Sequence, residues 1–146
     1  MKLQDIVLAQ KRIASLIKKT ELRESAYFSD MIQGHLFLKL ENLQITNAFK
    51  IRGAMNKLYQ ISKEQKDIIT ASSGNHGQAI ARASKELGLS AKIIIPEGTP
   101  EKKRNLIQKY GAELLVYGKT VDQSETYGRK IARRDGKLYI SPYNDP

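Results

Sequence analysis

The stretch DIITASSGNHGQAIARASKELGLSAKIII, residues 67–95, changes its apolar period twice. Ile68 to Ala71 is a short run with β-branched residues and reads as a strand, a helix fits from about Asn75 to Leu87, and Lys92 to Ile95 reads as a strand again. Gly88 falls just past the helix, where a residue with positive φ commonly ends one. Strand, helix and strand in a run of this length imply a right-handed βαβ unit, and so a parallel sheet.

The alternation continues toward the C-terminus. A helix is predicted from about Glu101 to Tyr110, a strand over Leu114 to Tyr117, a helix from about Val121 to Arg134 and a strand over Leu138 to Ile140, with Gly111 and Gly136 placed as Gly88 is. Four strands fit residues 67–141, so the expected class is α/β, a parallel sheet with flanking helices. Upstream, Ile6, Ala9, Ile13 and Leu16 recur at helical spacing and predict a first helix ending near Lys18 and Lys19. His35 to Leu40 reads as a strand, Glu41 to Ala48 as a loop, and a helix is expected from Lys50 to about Tyr59. With fewer sheet-forming elements, residues 1–66 are expected to belong to a different layer or domain from the parallel α/β unit of residues 67–146.

Composition narrows the function classes. The 146 residues are 40% apolar and 27% charged, too apolar for disorder, and there is no cysteine for disulfide or thiolate chemistry. Met1 to Lys19 intersperses charges among apolar residues, which excludes a signal peptide or membrane span there and makes the cytoplasm the default expectation. The net charge of +10 raises polyanion binding. Its densest clusters, Lys102, Lys103, Arg104 and Arg129, Lys130, Arg133, Arg134, lie in helical segments and read more simply as solvated faces.

Two segments carry chemistry. Thr70 to Gln78, Thr-Ala-Ser-Ser-Gly-Asn-His-Gly-Gln, stands where a strand ends and a helix begins, the edge at which open α/β sheets bind ligands. Its glycines permit close backbone approach, and free amides at the helix start suit an anion such as a carboxylate. A turn capped by Ser73 or Asn75 is the plainer alternative. In the second segment, Lys39 to Ala54, Lys50 opens a predicted helix, where the positive end of the dipole disfavours a cation and favours a nucleophilic amine. Gly118-Lys119-Thr120 is read as a helix-start turn, because six residues separate Gly111 from Gly118 where a phosphate-binding loop needs four.

Together, Glu41-Asn42-Leu43-Gln44, Phe49-Lys50-Ile51-Arg52-Gly53-Ala54 and Ser72-Ser73-Gly74-Asn75-His76-Gly77-Gln78 resemble, in order and spacing, the fold-type II pyridoxal-phosphate enzymes, in particular the threonine dehydratase and serine racemase family. Pro96, Thr99, Pro100, then Tyr110 to Glu113 and Ser141 to Pro146, resemble later landmarks of that family, so the likeness runs along essentially the whole chain. The resemblance implies a pyridoxal 5'-phosphate cofactor. Lys50 would hold it and later remove the substrate α-proton, Phe49 would pack beside it, and Asn75 would bond its ring oxygen. Ser72, Ser73, Gly74, Asn75 and His76 would gather around the substrate, Ser73 being also the acid or base on the opposite face in racemase-like members. His76 favours the dehydratase and racemase branch over cysteine-synthase-like relatives. The implied reaction is β-elimination from L-threonine or L-serine to a 2-oxo acid and ammonia, with racemisation as the alternative; no metal site is implied in this chain.

Departures from the family pattern are Glu21, where a proline is usual after Thr20, and Ile45, Thr46, Asn47 and Ala48, where Pro-Thr-Gly-Ser is usual; Asn47 can still adopt positive φ. The resemblance implies that residues 1–66 are the N-terminal part of the large cofactor-binding domain and residues 67–146 the small parallel α/β domain; Pro146 stands near the point where family members return to their large domain, before the phosphate-binding loop, so the remainder of that domain is expected to be absent. The resemblance therefore leaves room for a complementing C-terminal chain or a homo-oligomer, and for a non-catalytic remnant that binds weakly. Membrane attachment is not expected, and nucleic-acid binding rests on charge alone.

Overall fold

The chain builds a four-stranded parallel sheet from strands whose residues alternate between two helical layers. The structure is a computed structural model that describes residues 2–61 and 65–143. The strands are β3 (Asp67–Ala71), β4 (Ser90–Ile95), β5 (Glu113–Val116) and β6 (Leu138–Tyr139), in the order β5-β4-β3-β6. Every neighbouring pair is parallel, with Thr70 beside Ile93, Ile94 beside Leu115 and Ile69 beside Tyr139. The α/β class and all four strands match the sequence expectation.

Helices α3 (Lys50–Ile61), α4 (Asn75–Glu86) and α5 (Glu101–Gln108) lie against one face, where Ile51, Met55, Leu58, Ile80 and Ile107 join Ile68, Ile93 and Ile95 in one buried cluster. Ile69, Ala71 and Ile94 point the other way and meet Ile131 and Ala132 of α6 (Val121–Arg134). The period-two alternation of a strand makes this division. Each fully buried isoleucine contributes roughly 1.5–3 kcal/mol of transfer free energy. Gly88, Gly111 and Gly136 have positive φ just past α4, α5 and α6, as the punctuation predicts.

The first 40 residues differ from expectation. Helix α1 spans Leu3–Ile13, shorter than predicted, and buries only Ile13. The predicted strand narrows to β2 (Phe37–Lys39), which pairs antiparallel with β1 (Leu22–Glu24); between them lies α2 (Ala26–Ile32). Neither β1 nor α2 was expected. Every residue of β1 and β2 is exposed, so neither strand carries the buried-exposed alternation that periodicity detects.

Thr120 caps α6, its hydroxyl accepting from the Gln123 amide at 3.3 Å, so Gly118 to Thr120 is a helix-start turn. The basic clusters are partly used within the chain: Arg104 bonds the carbonyls of Thr99 and Glu97, Arg129 bonds Glu125, and Arg134 bonds Asp135. Of the landmarks, Asn144, Asp145 and Pro146 lie outside the described residues. Among the described residues, no helix is long and apolar enough to cross a membrane.

Candidate active site

From β3 the chain winds outward through β4 and β5, then α6 carries it back to lay β6 on the other side of β3. The segments leaving β3 and β6 therefore diverge, and a crevice opens at the carboxyl ends of these two strands, the switch point where open α/β sheets bind ligands. Ser72 to Gly74 leaves β3 at this edge, and Ile140 to Tyr143 lines the crevice.

Both segments are tied down. The Ser72 amide donates to Ile94 O at 3.1 Å and the Ile140 amide to Ile69 O at 2.8 Å. The buried Thr70 hydroxyl donates to Ile140 O at 2.7 Å and lies 3.2 Å from His76 Nε2. Its one proton is committed to Ile140, so His76 Nε2 is the donor in the second bond.

Most of the remaining lining comes from α3. Asn47 adopts φ 55°, the positive-φ conformation expected of it, and Ala48 is buried. Lys50 follows as the first residue of α3. Its Nζ donates to Pro142 O at 3.1 Å and stands 5.6 Å from the centre of the Phe49 ring, which is 59% exposed. A cavity of about 250 Å³ lies here, lined in part by Lys50, Gly53, Lys57, His76, Ser141 and Tyr143. A broader concavity follows the outer face of α5 from Glu101 to Lys109, but a single helix bounds it and neither chemical segment reaches it.

Of the residues singled out from sequence, Lys50 and His76 both line the cavity and Phe49 flanks Lys50. Ser72, Ser73 and Gly74 are partly buried on the loop into α4, and Asn75 is exposed at its first position; none of the four lines that cavity. The alternative of a side-chain-capped turn is not what forms: the N-cap is Gly74, without a side-chain hydrogen bond. The first amides of α4 thus keep no such cap. A Cβ added at Gly74 would meet only Ser72 Oγ, at 4.0 Å, so open space lies above this backbone. An amine at a cavity wall, an aromatic ring beside it and an uncapped helix start over open space fit an anionic aromatic aldehyde and a carboxylate substrate.

Sequence reasoning assigned no role to the polar cluster behind Lys50. Arg52 forks onto Glu41, Nε to Oε2 at 2.8 Å and Nη2 to Oε1 at 2.7 Å, and the Thr20 hydroxyl donates to Glu41 Oε1 at 2.5 Å. The Arg52 hydrogen bond holds the Glu41 carboxyl at about 2, below its usual 4.5, against the opposing effect of burial. A carboxylate depressed in the fold contributes stability that is fully present above pH 4.5 and is lost as pH falls through about 2. Allowing for solvent screening of a partly exposed pair, roughly 1–3 kcal/mol is at stake. Denaturant unfolding between pH 7 and pH 2 should therefore show Glu41→Gln destabilised at neutral pH, with the gap to the unmodified chain closing at the acid end; a constant gap would contradict this origin.

The comparisons agree with this fold. Residues 13–146 match the family model described as pyridoxal-phosphate dependent enzyme. The catabolic L-threonine dehydratase of Staphylococcus aureus strain USA300 is 41% identical over 98% of this chain, which spans 42% of that protein's length. Among solved structures, the serine racemase from Dictyostelium discoideum superposes with a TM-score of 0.90 at 34% identity, covering 99% of this chain and 48% of that one. A threonine deaminase from T.th. gives 0.89 at 36% identity, over 100% and 46%. The parallel sheet and the family match over residues 13–146 agree, and the chain belongs to the pyridoxal-phosphate dependent enzyme family.

Proposed function

We propose that this chain supplies the lysine and the carboxylate-binding loop of an ammonia-lyase acting on L-threonine or L-serine. The observation that carries the reading is Lys50, first residue of α3, opening on a cavity at the switch point that His76 also lines. Bound pyridoxal phosphate would supply an electron sink for the negative charge left on the substrate α-carbon. Lys50 would hold the cofactor, and its Nζ would take the α-proton as general base. Ser72, Ser73, Gly74 and His76, with the uncapped amides of α4, would bind the substrate carboxylate, while Asn75 would meet the cofactor's ring oxygen and Phe49 its face. Loss of the β-hydroxyl and hydrolysis would then give a 2-oxo acid and ammonia.

One observation favours racemisation as a second reading. Among the described residues the Ser73 hydroxyl makes no hydrogen bond, so its proton is available to the opposite face of the α-carbon.

The partner reading follows from surface chemistry. Leu3, Tyr27, Met31 and Phe37 are each more than half exposed, on α1, α2 and β2, and exposed apolar area of this kind marks a surface that another polypeptide covers. A polypeptide supplying the remaining length of the relatives, or a second copy, is the expected occupant. The test is 2-oxo acid release from L-threonine and L-serine in the presence of pyridoxal phosphate, by the chain alone and with such a polypeptide. Turnover of either amino acid supports the lyase; interconversion of L- and D-serine without 2-oxo acid supports the racemase, and neither product refutes both.

A further inference from the structure

We infer that Glu41 and Arg52 are positioning residues for Lys50, holding the first turn of α3 in the rotation that turns the lysine toward the cavity. The inference rests on the proposed role of Lys50 as the cofactor lysine.

At 3.6 residues per turn, consecutive side chains of a helix leave the axis about 100° apart. Here three successive residues are each engaged in a different direction. Lys50 reaches Pro142 O, Ile51 is fully buried in the core, and Arg52 is held by Glu41. A helix start has few intrahelical hydrogen bonds of its own, so its rotation depends on such outside contacts. Ile51 alone fixes it loosely, because apolar contact has no preferred direction. The Arg52 fork supplies direction: two parallel bonds to one carboxylate define a plane as well as a distance.

The carboxylate is anchored in turn. Glu41 opens a short 3₁₀ turn, Glu41–Leu43, directly after β2, and accepts from Thr20 Oγ1 at 2.5 Å; that hydroxyl also accepts from Arg52 Nη2 at 3.3 Å. Lys39 Nζ donates to Thr20 O at 2.7 Å, which joins β2 to the same knot. Ionised far below neutrality, Glu41 keeps the fork intact throughout the pH range in which an amine does its chemistry. The antiparallel hairpin thereby gains a purpose: it carries the anchor for the lysine's helix.

Gln44 offers an internal control. Its buried side chain accepts from the Lys18 amide at 2.9 Å and donates to Lys18 O at 2.7 Å, latching the same loop with, among the described residues, no side-chain hydrogen bond to α3. The experiment is the rate at which the visible absorbance of lysine-bound cofactor appears after mixing with pyridoxal phosphate, measured alongside circular dichroism and thermal midpoint. Glu41→Gln and Arg52→Lys, the latter keeping charge but losing the fork, should slow capture on the order of 10- to 100-fold. Gln44→Ala should capture at the unmodified rate even where its midpoint falls as far. Capture by Glu41→Gln at the unmodified rate, or equal slowing by Gln44→Ala, would overturn the positioning role alone. An unmodified chain with no such absorbance overturns the cofactor reading and this inference with it.

Discussion

Lys50→Ala should abolish the visible absorbance that the chain acquires with pyridoxal phosphate and reduce 2-oxo acid formation on the order of 10³-fold or more, since covalent attachment and general-base catalysis are lost together. The fold should hardly notice: the bond from Nζ to Pro142 O is the hydrogen bond the substitution removes, worth about 1 kcal/mol. A second amine borders the same cavity, Lys57, two helical turns further along α3. At 1.5 Å per residue it stands about 10 Å down the axis from Lys50. Lys57→Ala should therefore keep the absorbance. Retention by Lys50→Ala with loss in Lys57→Ala would move the site two turns along the helix and refute the assignment.

Gly77→Ala is expected to be the most damaging of the small substitutions. An alanine Cβ here would lie 2.3 Å from Ser72 O and 3.2 Å from Ser72 C, inside any tolerable contact and against backbone. Ser72 cannot withdraw cheaply, because its amide is bonded to Ile94 O of the neighbouring strand. On the other side Ile93 Cγ2 waits at 3.4 Å. The start of α4 would have to lift off the sheet, at a cost of about 3 kcal/mol or more. Urea unfolding should show a lower midpoint with an unchanged slope. Gly53→Ala provides the contrast, since nothing lies within 4 Å of the added methyl on α3 and the variant should gain roughly 0.5–1 kcal/mol of stability from helix propensity. Equal losses in the two variants would show that helix propensity, and not the Ser72 carbonyl, governs Gly77.

Residues 67–141 were legible because three physical signals coincide there: buried β-branched runs, helical spacing between them, and glycines at the positive-φ positions that end helices. Before residue 40 those signals lapse. Helix α2 spans seven residues, buries none of them, and ends on Gln33 at φ 51°, a conformation that a glutamine does not advertise. Lys50 was legible because its neighbours on the chain decide its environment. Its working partners were hidden, since they come from far along the sequence: Pro142 lies 92 residues away and Glu41 reaches Arg52 only because Asn47 turns the intervening loop back. Thr70 escaped notice for the same reason, its partner Ile140 being 70 residues on.

That β6 is last in sequence yet lies beside β3 also bears on the order in which the protein can be made. As the chain emerges from a ribosome, β3, β4 and β5 can pair as they appear, each held by a local crossover. The flank of β3 stays unfilled until residues 138–142 arrive, and with it Thr70 has no Ile140 carbonyl and Lys50 no Pro142 carbonyl to meet. A nascent chain arrested at residue 130 would carry the lysine and the loop but not the cavity they border. Cofactor capture by a series of arrested chains should therefore switch on abruptly, reporting the moment the sheet closes.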